Sequence, residues 1–153
     1  MSDPVDAAPR HGLSLEEQLC FSLYSASRLV TAAYRPILEE LGLTYPQYVT
    51  MLVLWERAPV SMKALGEALG LDYGTVTPLV KRLETAGLVQ RRRRTDDERA
   101  VDVTLTEPGH RLRERSLTVP DRIGAAMGLE DEDFASLKRG LDLLAVNVED
   151  HLR

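Results

Sequence analysis

One cysteine, Cys20, stands among 153 residues, so the chain cannot close an intrachain disulfide, and a reducing compartment suits it. Nowhere does an apolar run approach the roughly 20 residues that a membrane helix needs. His11, His110 and His151 have no ligand spacing with one another or with Cys20, which argues against a metal site. No cofactor is expected. Residues Met1 to Gly12 are rich in Pro, Ala and Asp and lack the apolar centre of a secretory signal, so residues 1–13 read as the flexible leader of a cytoplasmic protein. A net charge of −5 argues against a nonspecific nucleic-acid coat.

What is there is unevenly placed. Between Thr75 and Arg99 lie seven bases (Lys81, Arg82, Arg91, Arg92, Arg93, Arg94, Arg99) and four acids, a local charge of +3 that leaves −8 elsewhere. A basic patch on an acidic body is the footprint of a protein that docks DNA with one face. Hydrophobic content of 44% is enough for a buried core in one domain or a compact pair of subdomains.

Helical spacing of Leu15, Leu19, Leu23, Val30, Ile37 and Leu41 predicts a long first helix, opened by a Ser14/Glu17 capping box, bent or broken near Pro36 and stopped by Gly42. Thr44 with Gln47 caps a second helix to about Arg57, with Pro46 in its first turn. Ser61 opens a short helix closed by Gly70; Asp72 caps another, with Val76, Leu79, Val80 and Leu83 as its core stripe and Pro78 bending its first turns. Residues 88–92 and the alternation of Val101, Val103 and Leu105 with polar neighbours predict a hairpin with one buried face. A helix from Thr106 towards Met127 and a last one, about Asp131 to His151, follow. The expected fold is therefore mainly α with a small β hairpin.

A short helix, a glycine turn, a second helix and a basic hairpin make a winged helix-turn-helix. The second of those helices presents Thr75, Thr77, Pro78, Lys81 and Arg82 opposite its core stripe. Small hydroxyls and methyl groups suit base edges and thymine methyls; Lys81 and Arg82 suit phosphates or guanine. Arg91, Arg92, Arg93 and Arg94, then Asp97 and Arg99, form a tip that reaches the backbone or the minor groove. Four adjacent arginines alone read as a solvated turn. Their place after a helix pair and before an alternating strand favours DNA. For Thr75 and Thr77, local helix capping weighs about as much as base contact.

Cys20 shares a helix face with Tyr24, four residues on. Tyr34, fourteen residues on, returns to nearly that face but about 21 Å along the axis. Within one chain Tyr34 cannot touch the thiol. Two copies of the helix running antiparallel across a dimer interface bring them together, with Tyr45 just beyond. From composition alone a lone cysteine reads as a small hydrophobe. Phenolic donors change that reading, because hydrogen bonds to sulfur favour the thiolate, the species that attacks peroxide.

At these positions the chain resembles a known family. Asp72-x-Gly-Thr-x-Thr-Pro, Lys81-Arg82-Leu83-Glu84, Gly87-Leu88-Val89 and Asp97-Glu98-Arg99 are similar to the MarR repressors. Leu19-Cys20-Phe21-x-Leu23-Tyr24, Tyr34, Leu43 to Tyr48 and Leu54-Trp55-Glu56 resemble the branch that senses organic hydroperoxides, OhrR. The likeness runs from about Leu15 to Gly109. It implies an obligate homodimer whose first and last helices interlock, a wing arginine (Arg99) in the minor groove, and Asp97 bracing the wing. It also implies that the partner's Tyr34 and Tyr45 donate to Cys20, with Tyr24 close by.

The expected organisation is a sensor and dimerisation helix at 14–43, a winged helix-turn-helix at 44–106 and dimerisation helices at 107–153. The expected function is a repressor, not an enzyme, that binds a pseudo-palindromic DNA operator. It is released when an organic hydroperoxide oxidises Cys20. With no second cysteine to resolve a sulfenic acid, a mixed disulfide with a low-molecular-weight thiol, or over-oxidation, is the expected product. The alternatives are a MarR-type repressor released by a reversible aromatic ligand, a thiol peroxidase, and a pure dimerisation module, which the wing arginines disfavour.

Overall fold

The computed structural model describes residues 12–153; His11 and all of the predicted leader but Gly12 and Leu13 fall outside them. The elements in order are α1 (Leu19–Glu39), α2 (Tyr45–Arg57), β1 (Val60–Ser61), α3 (Met62–Leu69), α4 (Tyr73–Thr85), β2 (Val89–Arg93), β3 (Val101–Leu105), α5 (Glu107–Ser116), α6 (Val119–Met127) and α7 (Asp131–Leu152). The fold is mainly helical with a small antiparallel sheet, a winged helix-turn-helix flanked by terminal helices.

The sequence-predicted start of the first helix is corrected. Ser14 makes no side-chain cap; Leu15–Glu17 forms one 3-10 turn, and Gln18 is extended at φ −86°, ψ 107°. The Gln18 side-chain amide donates instead to the carbonyls of Gly12 (2.6 Å) and Ser14 (3.2 Å), closing the turn on itself. Helix α1 therefore begins at Leu19, and Cys20 lies in its first turn. At its other end α1 continues through Pro36 to Glu39. Burial of Ile37 and Leu38 in the core holds that last turn and offsets the one bond the proline removes.

The second helix starts as the sequence predicts. Gln47 N–H donates to Thr44 Oγ1 (3.4 Å), and the Thr44 amide donates to Gln47 Oε1 (2.9 Å). The helix pair of the DNA-reading unit is capped by Ser61 (3.1 Å from Ala64 N) and by Asp72 (2.8 Å from Thr75 N). Gly70 takes the left-handed conformation (φ 64°) that closes α3. Helix α4 runs on through Pro78 with its stripe of Val76, Leu79, Val80 and Leu83 buried.

The sheet holds a third strand that the sequence did not announce. Its order is β1-β3-β2, with Val60 opposite Val103 and Ser61 opposite Asp102. Two residues are too few to show a period. In the hairpin, Val89 faces Leu105, Arg91 faces Val103 and Arg93 faces Val101. The single helix predicted from Thr106 towards Met127 is two. Pro120 has no N–H to give the Ser116 carbonyl, and the chain breaks between α5 and α6.

One core joins α1 to α6 and the sheet through Leu38, Met51, Leu54, Leu65, Val76, Leu83, Val103 and Ile123. Leu54, Leu65 and Leu83 are at most 1% exposed, so truncating any of them to alanine costs about 2–5 kcal/mol. Helix α7 stands apart: its 22 residues include none that is buried, while Phe134, Leu137, Leu141, Leu143, Val146 and Val148 lie open. Among the described residues no helix is long and apolar enough to cross a membrane.

Candidate functional site

Helix α4 offers its outer face as the sequence reading places it. Thr75, Pro78, Lys81 and Arg82 are exposed and Thr77 is partly so. Both threonine hydroxyls are already engaged as donors. Thr75 Oγ1 lies 3.1 Å from each oxygen of Asp72, and Thr77 Oγ1 donates to the Tyr73 carbonyl (2.7 Å). Their methyl groups and oxygen lone pairs are what remains for a base edge.

The four wing arginines are not equivalent. Arg91 is half-buried on the inner face of β2, where its Nε donates to Glu84 Oε2 (2.9 Å) and its amide to Glu84 Oε1 (3.0 Å). Those two bonds hold the Glu84 carboxyl below the usual range. Arg94 pairs with Asp96 through Nε and Nη2 (3.0 and 2.8 Å) across the turn. Arg92 is exposed and touches Gln90 Oε1 (3.2 Å); Arg93 and Arg99 are exposed and have no ion pair among the described residues. Asp97 Oδ1 accepts from the Arg99 amide (3.0 Å), so it fixes the turn that presents Arg99 through the backbone.

The tyrosines divide into two groups. Cys20 is exposed, in the first turn of α1. Tyr24, one turn on, is exposed, with the Arg28 guanidinium carbon 5.5 Å from its ring centroid. Tyr34 and Tyr45 sit together at the junction of α1 and α2, ring centroids 4.9 Å apart and tilted by 52°. Because α1 is continuous from Cys20 to Tyr34, the thiol and this cluster of the same chain are about 21 Å apart along the axis. Burial, with Tyr45 and Tyr48 beside it, raises the Tyr34 phenol above its usual range, so it stays a protonated donor.

Two further aromatics belong to this cluster. Tyr48 is buried, 5.8 Å from the Tyr34 ring and 6.5 Å from the Trp55 ring, and Trp55 Nε1 donates to the Gly109 carbonyl (2.9 Å). The seven-residue spacing of Tyr48 and Trp55 on α2 was the signal available for them. A cleft of about 360 Å³ opens beside Tyr45, with Leu38, Leu43 and Pro46 as apolar wall and Arg35 at its edge. Among the described residues no group of three or more His, Cys, Asp and Glu gathers as a metal site would.

Residues 32–115 match the family model described as transcriptional regulator SarA/Rot. The chain is 45% identical over 129 residues to the organic hydroperoxide resistance transcriptional regulator of Bacillus subtilis, covering 84% of this chain and 88% of that one. It belongs to the MarR family, in the OhrR branch. Among solved structures, reduced AbfR bound to DNA superimposes with a TM-score of 0.78 at 35% identity, covering 91% of this chain and 95% of that one. Overoxidised AbfR bound to DNA gives 0.69 at 39% identity, covering 85% and 94%. The motifs that carry the MarR resemblance fall where the DNA-reading unit is built, on α4 and the wing. Those of the OhrR branch fall on α1 and α2, around Cys20 and the tyrosine cluster.

Proposed function

We propose that the chain is a redox-sensing transcriptional repressor. It binds a pseudo-palindromic operator as a homodimer and lets go when an organic hydroperoxide oxidises Cys20. The observation that carries this is the separation on α1. Each protomer offers an exposed thiol at one end of the helix and paired phenols, Tyr34 and Tyr45, at the other. Antiparallel pairing of two α1 helices sets each thiol against the partner's phenols. The open apolar stripe of α7 supplies the surface that such pairing buries. Residues 14–43 and 107–153 then serve dimerisation, and residues 44–106 serve DNA.

The chemistry is a stoichiometric event, not turnover. The Cys20 thiolate attacks one peroxide oxygen, the O–O bond breaks, and the alcohol leaves with a proton. Sulfenic acid remains on the sulfur. A small thiol then attacks that sulfur, forming a disulfide and releasing water. The cleft beside Tyr45, with Leu38, Leu43 and Pro46 on its apolar wall and Thr31, Arg35, Glu39 and Thr44 around it, takes the organic group of the hydroperoxide against that wall, a group hydrogen peroxide lacks. AbfR has been solved on DNA in an overoxidised form. Oxygen on the sulfur is accordingly a weaker signal for release than a bulky thiol adduct.

Coupling to DNA is a matter of spacing. Recognition helices of a dimer must meet half-sites about 34–36 Å apart. An adduct wedged among the phenols repacks the seam, and a hundredfold loss of affinity needs only about 2.7 kcal/mol. On DNA, α4 reads bases with Thr75, Thr77 and Pro78, while Lys81, Arg82, Arg92, Arg93 and Arg99 hold phosphates or the minor groove. A gel shift with cumene hydroperoxide and a small thiol tests this reading. Wild type loses the operator, and Cys20→Ser keeps it. A Cys20→Ser protein that is still released points to a reversible ligand instead.

A further inference from the structure

The tyrosine cluster and the recognition helix are joined by a short run of contacts that passes through the chain's one tryptophan. Tyr34 of α1 packs on Tyr48 of α2, and Tyr48 meets the Trp55 ring at 67°, edge to face. From Trp55 the connection becomes a hydrogen bond, Nε1 to the Gly109 carbonyl at 2.9 Å. Gly109 lies in the first turn of α5, and its amide donates to Thr106 Oγ1 (3.1 Å). That same hydroxyl donates to the Gly87 carbonyl (2.5 Å), and the Thr106 amide donates to the Leu88 carbonyl (3.1 Å). Gly87 and Leu88 are the turn between recognition helix α4 and wing strand β2.

We infer that Trp55 is the positioning residue that passes the state of the tyrosine cluster to the α4–wing joint. The geometry is suited to it in two ways. The indole is a rigid lever with a donor at one end and an aromatic edge contact at the other, so a shift of Tyr48 moves the N–H that holds α5 against Gly87 and Leu88. There is also room for movement: a cleft of about 280 Å³ flanks the ring, lined by Tyr48, Leu52, Trp55 and Arg113 with Ser116 and Pro120. A densely packed ring is held in one position, whereas a ring beside an open cleft has space into which it can shift.

This inference rests on the redox reading above, and its test separates the two. Trp55 is the only indole, so emission excited at wavelengths beyond tyrosine absorption reports this joint alone. Addition of cumene hydroperoxide and a small thiol changes Trp55 emission in wild type, at the rate at which intact mass shows Cys20 modified, and leaves Cys20→Ser unchanged. Trp55→Phe keeps the aromatic contact and loses the donor. It takes up the Cys20 adduct, and whatever its affinity for operator when reduced, the ratio of reduced to oxidised affinity falls about tenfold relative to wild type, a ratio that a merely structural loss would not move. If Cys20 is modified and the operator released while Trp55 emission stays constant, the inference falls and the redox reading stands. If Trp55→Phe is released as fully as wild type, it also falls. If Cys20 gains no mass, both fall. Should Trp55→Phe fold poorly, the emission of wild type decides.

Discussion

Arg91 turns inward and grips Glu84 with two parallel bonds, its Nε on Oε2 at 2.9 Å and its amide on Oε1 at 3.0 Å. The contact ties the wing to the recognition helix from within and removes one arginine from the run that faces solvent. Arg91→Ala is expected to lower stability with little change in the salt dependence of operator binding. Arg92→Ala and Arg99→Ala are expected to do the reverse, weakening binding to all sequences and reducing the salt slope of the dimer by about 2 each, one contact from each protomer. Anisotropy titrations at several salt concentrations, beside denaturant melts, distinguish the two classes.

Acid acts on the same contact. Folding holds the Glu84 carboxyl below its usual range because the Arg91 amide and guanidinium bind the ionised form. The unfolded chain takes up the proton at higher pH, so this contribution is complete above the ordinary glutamate range, about pH 4.3, and fades as pH falls through the lower folded value. Glu84→Gln is expected to be less stable than wild type at neutral pH and to show a shallower acid decline. Parallel acid limbs would contradict it.

A Cβ at Gly109 would overlap the Leu88 carbonyl oxygen, a backbone atom that cannot swing aside. Alanine gains up to about 1 kcal/mol in helix propensity there, while forced overlap costs about 1–3 kcal/mol or more. The overlap wins, so Gly109→Ala is expected to unfold at lower denaturant and to lose operator affinity. A midpoint at or above wild type would refute the close approach.

Removing either clustered phenol is expected to slow the sensor. Hydrogen bonds to charged groups contribute about 1.5–3 kcal/mol, so Tyr34→Phe and Tyr45→Phe should each slow Cys20 oxidation about tenfold or more. Tyr24→Phe should matter less, because Tyr24 lies under Arg28 and outside the cluster. Stopped reactions analysed by intact mass give the rates.

Helix α7 supplies the last test. Leu141→Asp puts a charge in its open apolar stripe without disturbing any buried residue of the protomer. Sedimentation is expected to show monomers, with operator binding lost and far-ultraviolet dichroism largely kept.

Much of this was legible in the sequence where chemistry is local. Thr44 with Gln47, Ser61, Asp72, Gly42 and Gly70 marked helix ends that the structure places where they were expected, because caps and left-handed glycines depend only on near neighbours. Positions decided by distant partners were not legible. Strand β1 exists because β3 lies beside it, and the inward turn of Arg91 depends on Glu84 of another element; the break at Gln18 is local, and the Ser14/Glu17 pattern hid it. At the site, Cys20, Tyr24, Tyr34 and Tyr45 stood out as chemistry-bearing residues, whereas Tyr48 and Trp55 entered only within the motifs of the resemblance, because their place depends on what α5 brings to them.

The straight run of α1 between Cys20 and Tyr34 has a genetic consequence. In the proposed dimer each protomer carries the sulfur of one reaction centre and the phenols of the other, so two different broken copies are expected to mend one another. A cell making Cys20→Ser alone is blind to peroxide, and one making Tyr34→Phe alone is sluggish. Made together, the two chains form hybrids in which the intact cysteine of the second meets the intact tyrosines of the first, and one working centre returns.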